Sequence, residues 1–296
     1  MLTDTARLLA GVGGSLPAVA AFNVITLEYA EGIVAGAERA GLPVLLSVSH
    51  NAVRFHGGLA PIAAACTALA ERASVGVGLH LDHCEDAALV LESADLGFGS
   101  AMFDASTLPY ELNVAETARV AALGRARGLW IEAELGEIGG KDGAHAPGVR
   151  TDPAEASEFV RATGVDGLAV AVGTSHAMTS RTAMPDTELI ARIAAAVPVP
   201  LVLHGSSGVA DDAIRATVAA GIRKVNVGTQ LSAAYTDALT ARLGGGPDPR
   251  AALKQAREAI AATVEHLLQV ISSPATLPES ATSTASAPAT VPERTR

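Results

Sequence analysis

Three histidines close short apolar runs: His83 in GVGLHLDHCEDA, His176 in GLAVAVGTSHAM and His204 in VPLVLHGSSG. Of the eight histidines in the chain, these stand at equivalent ends of separate strand-like segments, beside residues of little bulk. Neutral imidazoles bind Zn²⁺ in tetrahedral geometry, and three of them leave room for substrate oxygens. The ion then polarises a carbonyl as a Lewis acid. A single imidazole in such a place serves equally well as a buried hydrogen-bond donor. The three together, accompanied by Asp82, Asp104 and Glu134, favour a metal site. Asp82 directly precedes His83 and suits proton transfer beside the ion, or a carboxylate that orients a histidine from behind. Adjacent strand residues face opposite ways, so both reach one site only if the strand bends at its end. Asp104 and Glu134 close two further apolar runs. They suit an alternative metal position or hydrogen bonds to the ligands, with loop capping and salt bridging as their plainer roles. His80 is expected in a hydrogen-bond network at the rim of the scaffold rather than on the ion.

Small and hydroxyl-bearing residues gather at the same segment ends. Gly173 and Ser175 precede His176; Gly205, Ser206, Ser207 and Gly208 follow His204; Asn226, Gly228 and Thr229 end the last apolar run. Such residues let backbone donors approach an anion, and a following helix N-terminus favours negative charge. Their shared placement points to phosphate. The pattern is not that of a nucleotide P-loop, so ATP hydrolysis has no support. Gly139, Gly140 and Gly143 make the segment around them a candidate cover over the site, with Lys141 either meeting phosphate or simply solvated.

Strand-like runs start near residues 18, 43, 75, 97, 129, 167, 200 and 223. Helical patterns follow most of them, over about 27–41, 58–72, 84–94, 111–126, 153–163, 186–197, 209–219 and 229–241. Near-continuous apolar strands alternating with helices indicate a parallel sheet covered by helices. Eight such units predict an α/β fold of the (β/α)8 TIM-barrel type. The competing doubly wound sheet would carry a dinucleotide glycine fingerprint after its first strand, and none is present. A barrel places His83, Asp104, Glu134, His176, His204 and Asn226 on one face, at the C-terminal strand ends. GGGPDP at 244–249 separates the last barrel helix from a C-terminal helical extension expected over 250–270.

The 296 residues suffice for one large barrel domain, expected over 1–271. Beyond it, 272–296 is rich in Ser, Thr, Ala and Pro and reads as a disordered tail. A formal charge of −10 and an aromatic content of 3% argue against nucleic acid as a partner. Cys66 and Cys84 form no disulfide framework, and Cys84 beside the HLDH segment is weak ground for covalent catalysis. With no signal-like N-terminus and no stretch expected to span a membrane, the cytoplasm is the expected compartment.

The segments AFNV (21–24), HLDH (80–83), MFDAS (102–106), EAELGEIGG (132–140), VGTSHA (172–177), LHGSSG (203–208) and KVNVGT (224–229) resemble those of the class II, metal-dependent ketose-bisphosphate aldolases. The resemblance spans about 20–240, in order, and covers nearly the whole barrel. It implies reversible aldol cleavage of a phosphorylated ketose, such as fructose or tagatose 1,6-bisphosphate, to dihydroxyacetone phosphate and an aldehyde, glyceraldehyde 3-phosphate for those sugars. His83, His176 and His204 resemble the Zn²⁺ ligands, and Asp104 and Glu134 resemble residues of an alternative metal position. Asp82 resembles the residue that moves the proton of the aldehyde-derived hydroxyl. Asn23 lies in the matching AFNV segment. With Gly173, Gly205, Ser207, Asn226 and Thr229 it is assigned to the substrate site. The family also implies a homodimer or homotetramer and a monovalent cation near the phosphate.

Three departures stand out. The family's loop continues from GG into an acidic stretch with a catalytic glutamate, whereas this chain reads GGKDGAHAPG. Either Asp142 substitutes for it or the chemistry or substrate has changed. Ala177 stands where members often carry Gly, and Gly228 where fructose-bisphosphate enzymes carry Asp. A specialised phosphoketose, or a noncatalytic phosphosugar-binding barrel, are the alternatives these departures leave open. A Schiff-base mechanism on Lys224 is disfavoured, for want of a diagnostic partner pattern.

Overall fold

In the computed structural model of the chain, the described residues are 1–12, 16–135, 150–175, 178, 180–243 and 247–273. Eight parallel strands close into a barrel in sequence order. They are β1 (Val19–Asn23), β2 (Val44–Ser49), β3 (Val77–Cys84), β4 (Ser100–Phe103), β5 (Trp130–Leu135), β6 (Gly167–Val170), β7 (Leu201–Leu203) and β8 (Ile222–Val227). Closure runs from β8 back to β1, with Val19 opposite Lys224 and Ala21 opposite Asn226. The strands are mostly apolar on both faces because both are covered, by helices outside and by packed side chains inside. The expected TIM barrel is therefore the observed fold.

Nine α-helices that the alternation predicts, or nearly so, surround the barrel among the described residues: α2 (Leu27–Ala40), α4 (Ala60–Arg72), α5 (Ala87–Asp95), α6 (Tyr110–Arg125), α7 (Pro153–Thr163), α8 (Thr187–Ala196), α9 (Asp211–Ala220), α10 (Thr229–Thr240) and α11 (Arg250–Ile271). The extension α11 lies along α2 at close range. A Cβ on Gly36 of α2 would come within 2.5 Å of the Ala261 carbonyl of α11. Small residues on α2 thus bring the two backbones together and bury Ile260 and Val264.

Two short helices depart from the expected pattern. α3 (His50–His56) continues directly from β2, capped by the Ser49 hydroxyl, which accepts from the Ala52 N–H at 3.2 Å. α1 (Thr5–Ala10) precedes the barrel, and its Leu9 joins the interior cluster of Val19, Ala21, Leu45, Met102, Trp130, Ala169 and Val202. The base of the barrel is therefore plugged by the chain's own N-terminal turn. β4 begins at Ser100 rather than near 97, because 96–99 close α5 as a turn in which the Phe98 N–H donates to the Ser93 carbonyl at 3.0 Å. The tail expected from 272 falls, beyond Ser273, outside the described residues. Among the described residues no single helix is long and apolar enough to cross a membrane.

Candidate active site

Side chains two apart on a strand share a face, and three strands use this to line the barrel interior with polar groups. β3 supplies His80 and Asp82, β5 supplies Glu132 and Glu134, and β8 supplies Lys224 and Asn226; all six are buried. The second member of each pair lies nearer the C-terminal mouth, and there the site is built.

His83 breaks the alternation. Its φ is +47°, the only positive value on a non-glycine residue among the described residues. The β3–β4 register shifts between Leu81 and Cys84 at the same place. A bulge with one left-handed residue re-aims a side chain, so Asp82 and His83, adjacent in sequence, both line one cavity of about 280 Å³. This is the strand-end bend that a shared site requires. Backbone strain of this kind concentrates at functional positions.

Asp82, His83 and His204 bring one ligand atom each within 4.8 Å of one another, and His83, Asp104 and Glu134 do the same. The His83 and His204 rings meet edge to face with centroids 4.6 Å apart. His83 Nδ1 is 2.8 Å from an Asp104 carboxylate oxygen and 3.9 Å from Glu134 Oε2. His204 Nε2 is 2.8 Å from Glu132 Oε1. Each imidazole is thus held by a carboxylate through one ring nitrogen, the arrangement that fixes the tautomer of a metal-bound histidine. Imidazole and carboxylate donors this close suit a divalent first-row ion, so the residues present fit the implied metal. His176 lies outside the described residues; its neighbour Ser175 lines the cavity.

Asp82 is held from two sides. Asn23 Nδ2 donates to Oδ2 and Asn226 Nδ2 to Oδ1, both at 3.2 Å. Burial alone would raise its pKa, but His83, His204, His80 and Lys224 outweigh it and hold the carboxyl below the usual range. Asp82 is therefore held as the ionised carboxylate.

The phosphate-like part of the cavity is made of backbone and hydroxyls. Gly205 has φ +67°, and a Cβ there would meet the Ser175 backbone at 2.7 Å, so only glycine lets the two loops touch. It opens a 3-10 turn over Ser206–Gly208. The Ser206 hydroxyl donates to the Asn226 carbonyl, and Ser207 Oγ accepts from the Gln230 N–H at 3.1 Å, which ties this turn to the first turn of α10. Thr229, at the N-terminus of α10, lines the cavity with Gly205, Ser207 and Asn226. A helix start beside backbone and hydroxyl donors is a setting that favours an anion. Gly173 lies apart from this lining, with its Cα face against Arg150 and the Met184 carbonyl. Asp142, Lys141 and the loop glycines lie outside the described residues.

Sequence reasoning placed His80 at the rim; the structure places it inside the barrel, wholly buried, between Ser100 and Lys224. It passed over Glu132 and found no partner for Lys224, yet the two pair at 2.6 Å. A signal was available: each is a charged residue two positions before a polar site residue on the same strand, and so on the same face. Cys84 is buried, its thiol pushed up to about 12 mainly by burial, and donates to the Asp86 carbonyl; it is no nucleophile.

Comparison with known proteins agrees with this geometry. The family model described as fructose-bisphosphate aldolase class-II matches residues 4–275. The chain belongs to this family. It is 37% identical over 254 residues to a fructose-bisphosphate aldolase of Geobacillus stearothermophilus, covering 83% of this chain and 88% of that one. It is 36% identical over 285 residues to one of Thermus caldophilus, covering 86% and 93%. Among solved structures, the YdjI aldolase of Escherichia coli K12 superposes with a TM-score of 0.81 at 30% identity, covering 92% and 98%. As a class II aldolase the chain is a metal-dependent lyase, and His83, His204 and the carboxylates around them are its candidate metal centre.

Proposed function

We propose that this class II aldolase uses Zn²⁺ held by His83, His176 and His204 to cleave a phosphorylated ketose reversibly into dihydroxyacetone phosphate and an aldehyde. The observation that carries the reading is the convergence of Asp82, His83 and His204 at the barrel mouth, within 4.8 Å. The ion, when bound, polarises the ketose carbonyl. Gly205, Ser207, Asn226 and Thr229 hold the phosphate end, and a monovalent cation beside them adds charge. Asp82 accepts the C4 hydroxyl proton as the C3–C4 bond breaks, and returns it in the condensation direction. Asn23 and Asn226 keep its carboxylate aimed. Asp104 and Glu134 hold His83 and offer a second divalent position. Asp142 moves the proton at C3, and the chain assembles as a homodimer or homotetramer.

Fructose 1,6-bisphosphate, giving glyceraldehyde 3-phosphate, is the substrate that the names of the relatives support, and tagatose 1,6-bisphosphate is the other that the sequence resemblance implies. A second reading has its own observation: among the described residues no Lys or Arg lines the cavity. That favours a ketose with a single phosphate. Metal content and cleavage rates for fructose 1,6-bisphosphate, tagatose 1,6-bisphosphate and the corresponding ketose 1-phosphates test both. About one tightly bound divalent ion per chain is expected, with cleavage lost on chelation. Full turnover after replacement of all three histidines overturns the mechanism, and a preference for an unphosphorylated ketose overturns the phosphate cradle.

A further inference from the structure

We infer that Lys224 is a positioning residue of the metal centre, acting through Glu132 to fix the tautomer and orientation of His204; the inference rests on the metal-site reading above. Glu132 uses its two oxygens for two partners: Oε1 lies 2.8 Å from His204 Nε2, and Oε2 accepts from Lys224 Nζ at 2.6 Å. With its Nε2–H donated to Glu132, the His204 ring carries its lone pair on Nδ1, the nitrogen that this tautomer would present to an ion. A carboxylate gripped from one side can rotate; gripped from both, it cannot without breaking a charge-assisted bond.

Lys224 is itself anchored. Its ammonium also donates to His80 Nε2 at 3.2 Å, His80 Nδ1 lies 2.8 Å from the Ser100 hydroxyl, and that hydroxyl donates to Thr5 Oγ1 at 2.8 Å. The chain of contacts runs from the N-terminal plug, through the barrel axis, to the ligand, and every member is buried. Lys224 donates into His80 Nε2 only if that ring is neutral with its proton on Nδ1, and the Ser100 contact supplies the matching acceptor. The polarity of each link agrees with the next.

A purely structural role explains less. A buried ion pair contributes little net stability compared with apolar residues of the same volume, so stability does not account for placing one at the centre of the barrel. Schiff-base chemistry is also excluded by the surroundings. The amine is paired, fully buried and separate from the residues that line the cavity.

The test uses the full chain and two metal probes: Zn²⁺ affinity by chelator competition, and the visible absorption of the Co²⁺-loaded protein, which reports ligand geometry. Lys224→Met and Glu132→Gln should each weaken Zn²⁺ binding about 10–100-fold. The double variant should be no weaker than the worse single variant, because both changes break one path. All three should show the same altered Co²⁺ spectrum. Wild-type affinity and spectrum in Lys224→Met, or losses that multiply in the double variant, overturn the inference. Should Lys224→Met fail to fold around its stranded carboxylate, the neutral double variant is compared with Glu132→Gln alone. Equal affinity supports the path, and a further loss overturns it. A wild-type chain that binds neither ion overturns the metal-site reading itself.

Discussion

Asp82 and His83 are consecutive residues of one strand, yet both side chains reach the same cavity, because His83 alone among the described non-glycine residues takes a positive φ, +47°. The residue that would supply a metal ligand is the one that carries the strain.

That strain can be measured by removing the imidazole in two ways. His83→Ala and His83→Gly both delete the ligand and its bond to Asp104, but only glycine adopts the left-handed region without cost. His83→Gly should be more stable than His83→Ala by about 1–2 kcal/mol, both in metal-free form, by denaturant unfolding. Equal stabilities would show that the backbone relaxes once the side chain is gone. Both variants should lose tight Zn²⁺ binding.

Asp82→Asn keeps the shape of the side chain while removing its basicity. The Asn23 and Asn226 amides that donate to both carboxylate oxygens would then face one acceptor and one amide nitrogen. Cleavage at saturating substrate should fall by about 10²–10⁴-fold, the usual range for loss of a general base, with the metal retained. A variant that loses the metal in proportion to activity would make Asp82 a ligand rather than the base.

His80 gives the fold a pH dependence of its own. Burial first, and Lys224 second, lower its pKa from 6.5 to about 3. An unfolded chain therefore takes up a proton below pH 6.5 that the native protein refuses until about pH 3. Stability from this group is complete above pH 6.5 and is lost progressively as pH falls toward 3. Between pH 6 and 5 the metal-free protein should lose up to about 1.4 kcal/mol to it. His80→Asn should show a shallower slope over that interval in denaturant titrations. An unchanged slope would mean that His80 is charged in the native barrel.

The fold was legible because a barrel strand, covered on both sides, is apolar over most of its length, and eight such runs alternate with helices. The mouth was legible for a related reason: polar residues at the ends of those runs have few other places to go. The interior was harder to read. Lys224 and Glu132 each look like an ordinary charge in isolation, and only the register that brings β5 and β8 across the barrel axis makes them a pair. His80 was misplaced for the same cause, since a strand pattern gives the face of a residue and not its depth. α1 left no periodic signature because six residues, under two turns of helix, are too few to show one.

Gly205→Ala tests the anion cradle without touching any charged group. The added methyl would meet the Ser175 backbone at 2.7 Å, and φ +67° adds strain of its own. Since the obstacle is main chain, neither loop can yield by changing a rotamer. The variant should lose about 1–3 kcal/mol of stability and bind dihydroxyacetone phosphate at least about tenfold more weakly, by calorimetry, while Zn²⁺ content stays near that of wild type. Unaltered binding of dihydroxyacetone phosphate would move the phosphate away from this turn.

Asp142 is the one acidic residue of the GGKDGAHAPG segment, where the family carries a catalytic glutamate. Its carboxylate is one methylene shorter than that of the glutamate. Replacing it with asparagine removes the basicity and keeps the size of the side chain. Asp142→Asn should slow both cleavage and the exchange of the dihydroxyacetone phosphate C3 proton with solvent, by about 10²-fold or more, without removing the metal. The two rates must fall together, since the same proton is moved in each. Unchanged exchange with slowed cleavage would assign Asp142 to substrate closure; unchanged rates for both would leave it a solvated loop carboxylate and point to another base.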